Sequence, residues 1–189
     1  MIEKRPRNAE KTRALILDAA ASLLIEGGAS ALKINDLAAR AGIGKPLIYR
    51  YFGGLDGVFG ALVEDRTAKA AARIKENPVP VGLPVSKDIY QFLMFGRMLA
   101  FDECLRTLFR GLLSGDCRGR EAEALLALVP IPGEGRDAAA SAFLLGGIGF
   151  LVLLRDHIPA FAGAGLETAK DMARFEEVFV EFAGVYFKD

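Results

Sequence analysis

The sequence predicts an all-α protein, and three observations carry that prediction. Alanine and leucine abound, β-branched runs are few, and tryptophan is absent from a chain that is 52% apolar. Apolar residues recur at three- and four-residue spacing, as one face of a helix requires. The segments between these stretches are rich in glycine and proline, which punctuate helices. With 189 residues there is chain enough for one moderate domain, or for a small domain beside a larger one.

The elements follow in order. AEKTRALILDAAASLLIEGG, residues 9–28, holds Ile16, Ala19, Ala20, Leu23 and Leu24 in one apolar stripe, and Gly27 with Gly28 ends the helix. INDLAARA, residues 34–41, makes a short second helix; a turn and a third helix reach about Phe52. A fourth begins near Asp56 and continues through Lys75. NPVPVGLP, with three prolines in eight residues, breaks the pattern. Beyond it lie a helical region from Ser86 to Ser114, broken near Asp102, and a shorter helix from Arg120 to Leu128. After a second breaker, PIPGEG, two helices cover about Arg136 to Asp156 and Glu167 to Phe187, separated by IPAFAGAG. No strand and no internal repeat are expected.

Charge is zero overall but uneven. Residues 1–52 hold nine Lys and Arg against five Asp and Glu, a net +4, which leaves −4 for the remainder. Such asymmetry points to an N-terminal segment that meets an anion. The charged start MIEKRPRNAEKTR lacks the apolar stretch of a signal peptide, so the expectation is a cytoplasmic chain with Cys104 and Cys117 as reduced thiols. The uncharged run Ala138 to Leu154 has 17 residues, three of them glycine, at the lower limit for a membrane span, and no membrane partner is expected.

No catalytic constellation emerges. His157 is the only histidine, which excludes a multi-histidine metal site, and its place at a helix end suits a cap or surface role. Glu121 with Glu123, and Glu176 with Glu177, are spaced wrongly to share a helix face. GEG and GGIG lack the strand and lysine of a phosphate-binding loop. An enzyme, a cofactor and a metal are therefore not expected.

AGIGKPLIYRYFGG, residues 41–54, gathers basic and aromatic side chains with glycine and proline. Two short helices joined by a tight turn need a small residue where they cross, and Ala38 supplies it. They need a left-handed exit, and Gly42 four residues on allows one. They need an apolar knob to close the pair, and Ile48 six residues further provides it. This is the spacing of a helix-turn-helix. Helical geometry then places Lys45, Pro46, Tyr49 and Arg50 on the face opposite Ile48 and Phe52, at a helix N-terminus whose N–H groups attract phosphate. The third helix is expected to contact DNA, with Lys45 and Tyr49 on phosphate or bases and Pro46 and Leu47 against thymine methyls.

These residues resemble the TetR-type transcriptional repressors. The resemblance rests on the stripe Ile16 to Leu24, the pair Leu37 and Ala38, the turn Ala41 to Ile43, and Tyr49, Tyr51 and Phe52, and it covers about residues 9–64. It implies an N-terminal three-helix helix-turn-helix domain, residues 1–54, plus a larger helical ligand-binding and dimerisation domain, residues 55–189, with residues 55–76 as connecting helix. It also implies a DNA surface of Lys33, Gly44, Lys45, Pro46, Leu47, Tyr49, Arg50 and Tyr51. Family members usually carry Thr at Lys33 and Ser at Gly44 as helix caps, often Ser or Thr at Leu47, and Lys at Leu55. Lys33 can restore one phosphate contact.

The resemblance further implies a homodimer on a pseudo-palindromic double-stranded operator. In DAAASAFLLGGIGFLVLLRD, Ala139, Ala142, Gly146 and Gly149 recur every three or four residues as a flat face, and the last helix adds Phe175, Phe179 and Phe182. Residues 88–109 hold five aromatics and two methionines. Tyr90, Phe92, Phe95, Met98, Phe101 and Phe109, with Phe143 and Phe150, could line a cavity for a small lipophilic or aromatic effector, or could be a filled core. The alternative function is a helical ligand-carrier or protein-interaction module with a vestigial helix-turn-helix.

Overall fold

The computed structural model describes residues 5–77, 87–117, 119–129 and 136–186. Both breakers, NPVPVGLP from Pro78 onward and PIPGEG, lie outside the described residues. Among the described residues there are nine α-helices: α1 (Arg5–Gly27), α2 (Ile34–Ala41), α3 (Lys45–Phe52), α4 (Leu55–Glu76), α5 (Lys87–Phe101), α6 (Glu103–Ser114), α7 (Gly119–Leu126), α8 (Arg136–Leu154) and α9 (Ala169–Tyr186). A short 3-10 turn, Ala29–Ala31, joins α1 to α2. The fold is all-α, as composition and periodicity predict, with one correction. IPAFAGAG contains a minimal hairpin, β1 (Ala160–Phe161) and β2 (Ala164–Gly165), paired antiparallel. Ala162 and Gly163 both take positive φ, as the tightest hairpin turns require.

The chain forms two compact units, and they do not follow chain order. Unit one comprises Met1–Ala68 and Thr107–Leu125; unit two comprises Lys69–Arg106 and Leu126–Asp189. The expected division at residues 54 and 55 follows the helix-turn-helix motif, whereas the compact units divide within α4, within α6 and at the last residue of α7.

In unit one, every member of the α1 stripe is buried: Ile16, Ala19, Ala20, Leu23 and Leu24. Leu37 and Ala38 of α2, Ile48 of α3, and Val58, Leu62 and Val63 of α4 are buried with them. Helix α2 stops at Gly42, whose φ of 64° and ψ of 33° place it in the left-handed region. The Ile43 N–H then donates to Ala38 O at 3.0 Å and the Gly42 N–H to Ala39 O at 3.2 Å, the paired bonds of a Schellman motif. A side chain at residue 42 would strain this exit.

In unit two, α5 packs against α8 and α9. Ile89, Phe92 and Leu93 form a cluster with Phe179, and the Phe92 and Phe179 rings stack at 5.4 Å. The break near Asp102 is observed between α5 and α6, where the Asp102 carboxylate accepts the Leu105 N–H at 2.9 Å and caps α6. Arg106 is buried there and donates to Leu99 O, Ala100 O and Asp156 Oδ2. Arg155 also donates to Ala100 O, so two guanidiniums satisfy the last carbonyls of α5. Helix α9 opens on a capping box in which Thr168 and Asp171 exchange hydrogen bonds. Cys104 here, and Cys117 in unit one, are buried cysteines outside any disulfide.

Candidate nucleic-acid interface

Helix α3 turns one face inward and one outward. Ile48 is 0% exposed and Tyr49, one residue on, is 56% exposed. Lys45, Pro46 and Arg50 are exposed with Tyr49, while Leu47, Tyr51 and Phe52 are half-buried. Pro46 stands in the first turn, where its missing N–H costs nothing. Lys33 before α2 makes no side-chain cap bond and Gly44 before α3 has no side chain to make one; both residues are exposed. The Arg50 guanidinium lies 5.9 Å from the centroid of the Tyr51 ring.

Three features that sequence reasoning missed set α1 to α4 around this motif, two of them touching α3 itself. Arg13 of α1 donates to Tyr51 O at 2.8 Å and lies 4.4 Å from the centroid of the Phe52 ring, satisfying a carbonyl at the end of α3. Arg40 of α2 grips Glu26 of α1 through two bonds of 2.6 and 2.7 Å. That fork holds the Glu26 carboxyl below the usual glutamate range and pushes Arg40 up. Gly57 at the start of α4 lets the chain close on α3, since a Cβ there would stand 1.7 Å from Phe52 O. The partners of Arg13 and Arg40 lie 38 and 14 residues away, beyond any local signal.

The candidate residues elsewhere are dispersed. Among the eight aromatic and methionine positions, Phe92, Phe95 and Phe109 are buried and Tyr90 and Met98 half-buried. Phe101 and Phe150 are exposed, Phe143 is 83% exposed, and Phe150 meets Phe161 edge-on at 5.8 Å. Phe109 belongs to unit one and the others to unit two. Between α5 and α9, beside Leu93, Gly96, Met172 and Phe179, the free space is about 30 Å³, room for a solvent molecule. Of the flat face on α8, Ala139, Ala142 and Gly146 are exposed and Gly149 half-buried; on α9, Phe182 is exposed, Phe175 half-buried and Phe179 buried.

Among the described residues no helix is long and apolar enough to cross a membrane, and no group of His, Cys, Asp and Glu could hold a metal ion. His157 is exposed, and its backbone N–H donates to Leu154 O beyond the end of α8.

Residues 16–62 match the family described as Bacterial regulatory proteins, tetR family. The HTH-type transcriptional repressor Rv3405c of Mycobacterium tuberculosis is 33% identical over 112 residues, 59% of this chain and 52% of that protein. The chain thus spans about half the length of the curated relatives it matches. Two solved structures share the fold along nearly all of the chain. One is the fatty acid degradation regulator FadR from Bacillus halodurans, with a TM-score of 0.63 and 16% identity, covering 98% of each chain. The other is a TetR-like transcriptional regulator from Rhodococcus sp. RHA1, with a TM-score of 0.61 and 18% identity, covering 94% of this chain and 97% of that one. At such identities the likeness is one of fold.

Proposed function

We propose that this chain, whose residues 16–62 match the tetR family of bacterial regulatory proteins, is a TetR-type, ligand-responsive transcriptional repressor that binds a pseudo-palindromic operator as a homodimer. The observation that carries this reading is the division of α3, with Ile48 in the core and Lys45, Pro46, Tyr49 and Arg50 on the surface. A helix so divided can lie in a major groove without disturbing the packing that orients it. Lys33, Gly44, Leu47 and Tyr51 complete the proposed DNA surface. The name repressor is that of the mycobacterial relative, and it suits a protein that acts by occupying its site.

The homodimer reading is supported by apolar surface that the single chain leaves uncovered. Phe143 and Phe150 of α8 and Val178, Phe182 and Val185 of α9 are all exposed. The small residues Ala139, Ala142, Gly146 and Gly149 would let a second backbone approach, with Phe175 and Phe179 beneath. A two-fold dimer would present two α3 helices to half-sites about 34 to 36 Å apart.

The proposed effector is small and lipophilic or aromatic, and its site lies beside the aromatic helix α5. With about 30 Å³ free between α5 and α9, such a ligand must part these helices and displace the Phe92 and Phe179 stack. Helix α4, shared by the two units, is the segment through which that movement would reach α3.

Selection of binding duplexes from a random pool by the full chain tests the reading. The expected product is an inverted repeat with half-sites one helical turn apart. Enrichment of no sequence would overturn it in favour of a carrier or interaction module with a vestigial helix-turn-helix.

A further inference from the structure

We propose that Arg13 of α1 is a positioning residue for DNA recognition: it fixes the tilt of α3, and with it where Lys45 and Tyr49 fall in the groove. The proposal rests on the DNA-binding reading and adds to it a residue that stands outside the helix-turn-helix pair.

Helix α3 is eight residues long, about two turns. So short a helix does not hold itself, and its direction is set by what it touches. Ile48, 0% exposed, fixes one point near its middle. A direction needs a second point, and the C-terminal end supplies it. The Gly53 N–H donates to Tyr49 O at 2.9 Å and closes the last turn. The Tyr51 carbonyl, farther along, accepts from Arg13 Nη1 at 2.8 Å. The same guanidinium lies 4.4 Å from the centroid of the Phe52 ring, so one planar group holds a backbone carbonyl and the next side chain together. Its positive charge also sits where the partial negative charge of a helix end gathers.

Pivoted on Ile48, α3 is a lever with equal arms. Lys45 and Tyr51 each lie three residues from Ile48, about 4.5 Å along the helix axis. A slack of about 1 Å at Tyr51 therefore moves the Lys45 end by about 1 Å the opposite way, enough to carry a hydrogen bond of about 2.9 Å out of range. Base edges are read only in exact register, whereas the attraction of phosphate for basic side chains tolerates such a shift. Arg13 is exposed, and with Tyr51, Phe52 and Gly57 it lines an open cleft of about 330 Å³. Truncating it wets a surface instead of emptying the core, so the tether is lost while the fold survives.

The test compares the full chain with R13M and R13K for affinity to a selected duplex and to an unrelated duplex, each across a range of salt concentrations. R13M keeps an apolar stem on Phe52 but neither donor nor charge. It should retain the helical circular dichroism of the parent and bind the selected duplex about 10-fold more weakly, yet bind the unrelated duplex as the parent does, with both salt slopes unchanged. R13K returns a charge and a donor to the helix end without the planar fork, and should recover part of the loss. In the DNA-free protein, the carbonyl carbon resonance of Tyr51 should move in R13M and the Gly53 amide should exchange faster. Equal affinity of R13M and parent for the selected duplex, or an unmoved Tyr51 resonance with an unmoved Gly53 exchange rate, would overturn the proposal. So would a parallel loss on both duplexes with the salt slope reduced by about 1, which would make Arg13 a phosphate contact, or a loss of helical signal, which would make it a determinant of the fold. A parent that distinguishes no duplex refutes the DNA reading and the proposal with it; a discriminating parent matched by R13M refutes the proposal alone.

Discussion

Replacing Ile48 with alanine takes three carbon atoms out of a position that is 0% exposed. At about 0.8 kcal/mol for each buried carbon the transfer loss is about 2.4 kcal/mol. The cavity left among rigid helices raises the cost to about 2 to 5 kcal/mol. The neighbouring substitution Tyr49→Ala removes a larger side chain that is 56% exposed, and its effect on stability should stay within about 0.5 kcal/mol. For a urea dependence of about 1 to 3 kcal/mol per molar, Ile48→Ala should lower the unfolding midpoint by roughly 0.7 to 5 M while Tyr49→Ala leaves it nearly in place. Helical circular dichroism against urea on both variants measures this. If Tyr49→Ala is the destabilising change and Ile48→Ala is silent, the inward and outward faces of α3 have been exchanged, and the assignment of its DNA surface fails with them.

Other consequences are as direct. A Cβ at Gly146 or Gly149 meets nothing within 4 Å in the single chain, so Gly146→Leu and Gly149→Leu should fold normally yet sediment as monomers; unchanged dimers would place the interface elsewhere. Arg106→Met should cost about 2 to 4 kcal/mol, because Asp156 and two α5 carbonyls lose a buried donor, and a denaturation midpoint matching that of the parent would contradict this. The hydrogen bond from Arg40 depresses the Glu26 carboxyl, so its stabilisation is complete above the ordinary glutamate range and is lost as pH falls through the depressed value. The parent should therefore exceed Glu26→Gln in stability at neutral pH and match it in strong acid; a difference that widened in acid would refute the pairing.

Much of unit one was legible because its determinants are local. The buried stripe Ile16 to Leu24 and the trio Ala38, Gly42 and Ile48 declare themselves by spacing, and Gly42 adopts the left-handed conformation that spacing demands. Asp102 marked the break before α6 because a capping carboxylate acts within three residues. The hairpin at 160–165 was invisible because strands of two residues are too short for alternation to register. Arg13 with Tyr51, and Arg106 with Asp156, were beyond reach because their partners lie 38 and 50 residues away and only the tertiary fold unites them. An aromatic stripe shows where bulk lies but not which way it turns: Phe92 stacks on Phe179, while Phe143 stands 83% exposed.

The central claim is that the outward face of α3 grips DNA, and the most direct measurement is the affinity of Lys45→Ala and Tyr49→Ala for a selected duplex across a range of salt concentrations. Each variant should keep its fold and lose about 1 to 3 kcal/mol of binding, roughly 5- to 150-fold, if its contact is to a base edge. If Lys45 instead meets a phosphate, its loss should also reduce the slope of log affinity against log salt by about 1. Affinity and salt slope unchanged in both variants would contradict the claim.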